Sequence, residues 1–179
     1  MRTVIVLLFV LAAVYAFIPG LLSRLAGYRV FKRGVSEREI CLTFDDGPDP
    51  VYTPELLDLL KMHGVKATFF LVGKHAEKHP DLVKRMKEEG HSIGVHNYRH
   101  RSNWLMLPGT VRQEIAATSE IIERSSGEPP KLYRPPWGLL NVFDLFAGRM
   151  PIVLWSAMPG DWRESHGAAV IARRLSDAL

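Results

Sequence analysis

Short apolar runs that end in polar residues, most of them separated by helical stretches, constrain this chain more than any other feature. The runs lie at 40–44, 66–72, 92–96, 131–134 and 151–155. They are continuously apolar rather than alternating, the pattern of strands buried on both faces. Helical signals fall between them. Thr53 and Pro54 read as an N-cap and a first-turn proline, with Leu56, Leu57, Leu59 and Leu60 on the buried face and Gly64 as the stop. A second helix is expected over 80–89, ended by Gly90. A third covers 110–125, where Thr110 and Gln113 match a capping box and Gly127 ends the run. A last one covers 168–178. Strand and helix alternating at this spacing predict an α/β fold with a parallel sheet and crossover helices, either open or curled into a partial barrel.

Hydrophobic residues make up 47% of the 179 and charged residues 23%, enough for a packed core and too apolar for disorder. The formal net charge is +4, without a basic block or a nucleic-acid motif, so no nucleic-acid partner is expected. The single cysteine, Cys41, excludes an internal disulfide and is expected to be a small buried hydrophobe. Residues 4–18 are apolar on every side, and 3–22 reach the ~20 residues that cross a bilayer. A signal peptide cleaved near Val14-Tyr15-Ala16 is one reading, with a secreted product. An uncleaved anchor is the other, and the apolar continuation through Leu22 favours it. Both put the remainder outside the cytoplasm. The expected organisation is a membrane or signal segment over 1–22, a connector over 23–37 and a single domain over 38–179. Oligomeric state is not legible.

The chemistry-bearing residues follow strand ends, where parallel α/β folds build their sites. Asp45 and Asp46 follow the first run, His96 and His100 the third, Arg134 ends the fourth, and Asp161 and Trp162 lie beyond the fifth. His96 and His100 have the spacing that lets two imidazoles meet one ion. Neighbouring carboxylates at a strand end point in different directions, so one can bind a metal while the other stays free as a base. Two histidines and one carboxylate leave zinc an open position, where a water becomes a nucleophile near neutral pH. Arg134 beside a carboxylate would favour its charged form and orient it; a surface ion pair is the plainer alternative. Trp155 reads as core, whereas Trp137 and Trp162 near a polar site suit stacking on sugar rings.

Taken together these residues resemble the polysaccharide deacetylase family (carbohydrate esterase family four) over about 38–175. Thr43-Phe44-Asp45-Asp46-Gly47-Pro48 matches the first family motif. Gly90 to His100 matches the second, with Asn97 where Ser or Thr is usual. Arg134-Pro135-Pro136-Trp137-Gly138 matches the third, and Trp155 to Trp162 the fourth, with Met158 in place of a frequent aspartate. The resemblance implies a distorted (β/α) barrel of about seven parallel strands. It also implies hydrolysis of N-acetyl groups on a GlcNAc-containing polymer, peptidoglycan or chitin-like. Asp45 would be the base, Asp46, His96 and His100 the ligands of a divalent metal (Zn2+, with Co2+ or Ni2+ as alternatives), and Arg134 the group that orients Asp45. Asp161 would tune the general acid, and Pro136, Trp137 and Trp162 would line the sugar groove, with the Trp137 backbone N–H at the oxyanion. The family's later Leu-x-His segment does not occur in this chain, and His166 is not placed to replace it. The resemblance therefore implies a C-terminally incomplete domain, with an impaired metal- and carbohydrate-binding remnant as the alternative to an active enzyme.

Overall fold

The structure is a computed structural model that describes all residues except 37–38, 105, 147–148, 164 and 179, and of residue 146 the backbone alone. Its centre is a six-stranded parallel sheet among the described residues, formed by β1 (Val30–Phe31), β2 (Leu42–Asp45), β3 (Ala67–Leu71), β4 (Ser92–Val95), β5 (Leu132–Tyr133) and β6 (Ile152–Val153). The spatial order is β1-β6-β5-β4-β3-β2, so one strand fewer is present than the family pattern implies. Helices α2 (Tyr52–Met62), α3 (Gly73–Lys78), α4 (Pro80–Glu88), α5 (Pro108–Ser126) and α6 (Val142–Phe146) make the crossovers, and α7 (Ala168–Asp177) follows the last strand.

The sheet is curled, and one side chain proves it. Neighbouring strands lie about 4.8 Å apart, so a flat sheet would hold β2 and β5 roughly 14 Å apart. Yet the Arg134 guanidinium, just beyond β5, donates to Thr43 Oγ1 and Asp45 Oδ1 on β2 at 2.9 and 2.7 Å. Such a reach requires a half-barrel. Central β3 has no exposed residue, and its Phe69 and Leu71 join Leu57, Met86, Val95 and Ile122 in the core. Gly94 on β4 is dictated by this packing, because a Cβ there would lie 2.6 Å from the Phe70 ring and 3.1 Å from the Leu132 carbonyl.

Several local expectations give way. Thr53 is not an N-cap: its Oγ1 accepts the Asp49 N–H, while Asp49 Oδ1 accepts the N–H groups of Val51 and Tyr52. The acidic residue one turn earlier is the better acceptor, so the helix starts sooner. Thr110 likewise lies inside α5, which Pro108 opens, and no capping box forms. Cys41 is exposed rather than buried, because it precedes β2 at the edge of the sheet. Trp155 packs half-buried against the core, as expected.

Helix α1 (Arg2–Ala26) is long and apolar enough to cross a membrane. Its final turns pack on the domain: Tyr15 donates to the Met106 carbonyl at 2.6 Å, the Phe17 and Trp104 rings lie 4.7 Å apart, and Ala16, Pro19 and Ser23 are buried. The stretch expected to be a connector holds the end of α1 and strand β1, whose Val30 and Phe31 pair with Ile152 and Val153. A two-residue strand carries too little periodicity to be seen in sequence.

Candidate active site

The side chains that follow the strand ends meet at one mouth of the half-barrel. Asp46 sits just past β2 with φ 71°, a left-handed conformation that turns its carboxylate away from that of Asp45. Its Oδ1 is 2.9 Å from His100 Nε2 and 3.3 Å from His96 Nε2. Asp45 instead meets Arg134. The adjacent carboxylates therefore have separate partners.

The His96 imidazole is buried, and its Nδ1 donates to the Arg134 carbonyl at 2.6 Å. Donation from Nδ1 leaves the lone pair on Nε2, the atom that faces Asp46. His100 has φ 51° and sets its ring 4.5 Å from that of Trp137, tilted at 59°, with Trp137 itself at φ 56°. The loop between the histidines is pinned from behind by Glu114 of α5. One oxygen of this buried carboxylate accepts the N–H groups of Tyr98 and Arg99 at 2.9 and 2.7 Å, and the other accepts from the Arg99 guanidinium. His75 of α3 holds the Asp46 carbonyl through Nδ1 at 2.8 Å. The adjacent His100 and then His96 imidazoles hold the Asp46 carboxyl well below the usual carboxylate range, partly opposed by burial.

The ligand-type atoms of Asp46, His96 and His100 lie within 4.8 Å of one another. Two imidazole nitrogens and one carboxylate oxygen, with the buried imidazole fixed in the coordinating tautomer, fit a divalent ion of the zinc type with positions left open.

Arg134 is not a surface ion pair. It is buried, its Nε donates to the Val153 carbonyl at 2.9 Å, and its guanidinium lies 4.1 Å over the Phe70 ring. Burial lowers its pKa, and the neighbouring Asp45 opposes this only in part. Behind the site runs a buried polar network that the sequence did not reveal. Asn97 donates to Asn103 Oδ1 at 2.7 Å, Asn103 donates to Tyr133 and Asp144, and the Tyr133 hydroxyl donates to Asn97 Oδ1 at 2.9 Å. Asp144 also accepts the Asn141 N–H. Asn97 is one of the residues that depart from the expected pattern, and its amide lets the loop join this network.

Pro136 is buried, Trp137 is 55% exposed beside His100, and Trp162 is 60% exposed. Asp161 lies in an exposed turn, and among the described residues no hydrogen bond or ion pair joins it to the cluster. His166 instead faces the Gly160 carbonyl at 2.9 Å.

Known proteins resemble this chain in sequence and in fold. A peptidoglycan-N-acetylglucosamine deacetylase of Bacillus cereus is 44% identical over 136 residues, 74% of this chain and 50% of that protein. The peptidoglycan-N-acetylglucosamine deacetylase PgdA of Listeria monocytogenes is 37% identical over 143 residues, 80% of this chain and 31% of that protein. The chain thus spans half the length of the first and under a third of the second. Among solved structures, the Bc1960 peptidoglycan N-acetylglucosamine deacetylase superposes with a TM-score of 0.82 at 39% identity, over 88% of this chain and 75% of its own. A family 4 acetyl xylan esterase from Clostridium thermocellum, in complex with a cobalt ion, superposes with a TM-score of 0.73 at 34% identity, over 78% and 68%. The family model for polysaccharide deacetylase matches residues 32–143, which hold the carboxylate pair, both histidines and Arg134, and the chain belongs to that family.

Proposed function

We propose that this chain is a divalent-metal-dependent N-deacetylase of GlcNAc-containing polysaccharide, with peptidoglycan the favoured polymer. One observation carries the reading: adjacent Asp45 and Asp46 are divided between Arg134 at 2.7 Å and the His96–His100 pair at 3.3 and 2.9 Å. That division is what a base beside a metal site needs. The names of the similar proteins support the substrate class.

Asp46, His96 and His100 are the proposed ligands. A divalent ion held there, zinc in this reading with cobalt or nickel as substitutes, supplies Lewis acidity toward a water and the acetamide carbonyl when bound. Asp45, fixed by Arg134, takes a proton from the attacking water. The water oxygen bonds to the acetamide carbon and the C–N bond breaks. Both protons of the water end on the departing amine, which leaves as an ammonium beside acetate. The Trp137 N–H is assigned to the oxyanion, and Pro136, Trp137 and Trp162 to the sugar groove. Asp161 keeps its assignment on the family pattern alone. Residues 38–179 carry the domain, with β1 added to its sheet, and residues 3–22 hold it to the outer face of the cell membrane as an uncleaved anchor.

The test is acetate release from N-acetylated peptidoglycan, alongside metal binding by calorimetry. Chelation and Asp45→Asn should each abolish release, and Asp45→Asn should leave metal binding intact. Asp46→Asn should lose the metal. Release that survives both chelation and Asp45→Asn sinks the assignment. Metal bound with no release from any N-acetylated polymer turns the reading to a sugar-binding remnant.

A further inference from the structure

Helix α1 has two different halves. Ahead of Tyr15 its large apolar side chains are exposed on every side, from Val4 at 59% to Leu11 at 56%. From Tyr15 onward one side is taken by the domain: Ala16, Pro19 and Ser23, spaced three and four residues apart, are buried there. The other side remains apolar and exposed, with Ile18, Leu21, Leu22 and Leu25 at 44, 58, 42 and 79%. The lipid-like surface of the helix therefore runs on past the point where the domain docks.

The lengths then decide where the docked turns lie. Between the charge of Arg2 and the first docked residue, Tyr15, only 3–14 are free, and at about 1.5 Å per residue they rise roughly 18 Å. The hydrocarbon core of a bilayer is about 30 Å thick. A crossing must include the docked turns to about Leu22, so Tyr15 and Phe17 lie roughly 11 and 8 Å inside its outer end, and whatever is packed on them lies in the outer leaflet just beneath the headgroups. Two parts of the domain pack there: α6, and the loop residues Trp104 and Met106, next to Leu107. Trp104 meets Phe17, Met106 receives the Tyr15 hydroxyl, and Leu107 projects with 74% of its surface exposed. Tryptophan and tyrosine are the side chains that settle at the headgroup level. Past them, Arg24, Arg29 and Arg33 are exposed, where anionic headgroups would meet them.

We propose that the side of the domain bearing Trp104, Met106 and Leu107 is a membrane-contacting surface, seated with the docked half of α1 in the interfacial layer of an anionic bilayer. The inference rests on α1 being a retained membrane segment and not on the deacetylase chemistry. Trp104 follows His100 by four residues, so the seat is continuous with the metal-binding loop. The site is held at a fixed short height above the bilayer rather than on a flexible tether, and it works on polymer close to the membrane face.

Full-length chain in vesicles of phosphatidylglycerol and phosphatidylethanolamine tests this. With Cys41→Ser as background, single cysteines are placed by Leu107→Cys and, on exposed Glu88 of α4, by Glu88→Cys, and labelled with an environment-sensitive fluorophore. The probe at 107 should shift to the blue, be quenched by headgroup-region spin-labelled lipid, and be shielded from aqueous iodide about threefold or more relative to 88. Equal iodide access at 107 and 88 overturns the proposal. So does a membrane-recovered chain whose mass shows cleavage after Ala16. Metal binding and acetate release, read on the same vesicles, report separately on the deacetylase assignment.

Discussion

The Nδ1 atom of His96 donates to the backbone carbonyl of Arg134 at 2.6 Å, while the Arg134 side chain holds Asp45 at 2.7 Å. One residue thereby orients both halves of the site, one through its backbone and one through its guanidinium. The two functions separate under substitution. Arg134→Lys keeps the carbonyl, so metal affinity should stay within a few-fold. An ammonium cannot reproduce the planar fork that reaches Thr43, Asp45 and Val153 together. Misplacement of Asp45, the proposed base, should cut acetate release about 100-fold. Calorimetric metal titration and an acetate assay on the same preparation check both halves of the expectation.

Glu114 makes the complementary case, a buried carboxylate on α5 that touches none of the proposed metal ligands. It accepts the N–H groups of Tyr98 and Arg99, which lie between the two histidines. Glu114→Ala leaves those donors without an acceptor and frees the loop that aims His100. Outer groups that orient ligands are worth about 10- to 100-fold in metal affinity. The variant should bind zinc more weakly by that margin, as read by competition with a chromogenic chelator, while Asp45→Asn should not.

The split between what sequence revealed and what it concealed follows the range of the interactions. Asp45, Asp46, His96, His100 and Arg134 were legible because each sits at the end of an apolar run, and a parallel sheet brings such ends together. Glu114 and Asp144 were not, because helical carboxylates give no local sign of burial. The Asn97–Asn103–Tyr133–Asp144 network joins three segments, and no window of sequence contains it. Helix α3 has six residues, too few to show a helical period. The caps at Thr53 and Thr110 went astray for a local reason: Asp49 and Pro108 start those helices earlier and more strongly. The burial expected of Cys41 failed because edge position is a property of the sheet and not of the run.

Gly94 tests the packing under the guanidinium. A Cβ at this position meets the Phe70 ring at 2.6 Å, and Arg134 lies over that same ring. The Leu132 carbonyl closes the other side at 3.1 Å, so the methyl has no direction of escape. Overpacking of this kind costs about 1–3 kcal/mol. Gly94→Ala should lower the urea midpoint accordingly and also reduce acetate release, because Phe70 can move only by displacing Arg134. A variant with unchanged midpoint would show that the strand spacing is looser than described.

Asp144 makes the fold sensitive to pH in the direction opposite to an ordinary paired carboxylate. Burial raises its pKa from 3.8 to about 7, against hydrogen bonds from Asn141 and Asn103 that pull it down. Below pH ~4 the carboxyl is protonated in both folded and unfolded chains and has no differential effect. Between there and pH 7 the unfolded chain releases the proton more readily, so the unfolded state binds fewer protons and stability falls as pH rises. At about 1.4 kcal/mol per unit the loss approaches 4 kcal/mol by pH 7 and then levels off. Asp144→Asn removes the titration. Its amide places an N–H where the carboxylate accepted, so its absolute stability is not the readout; the slope is. Urea unfolding of both proteins from pH 4.5 to 8 should show the variant gaining on the parent through that window and running parallel above it. Parallel curves throughout would mean that Asp144 titrates alike in both states, and the network behind His96 would then be a charged one.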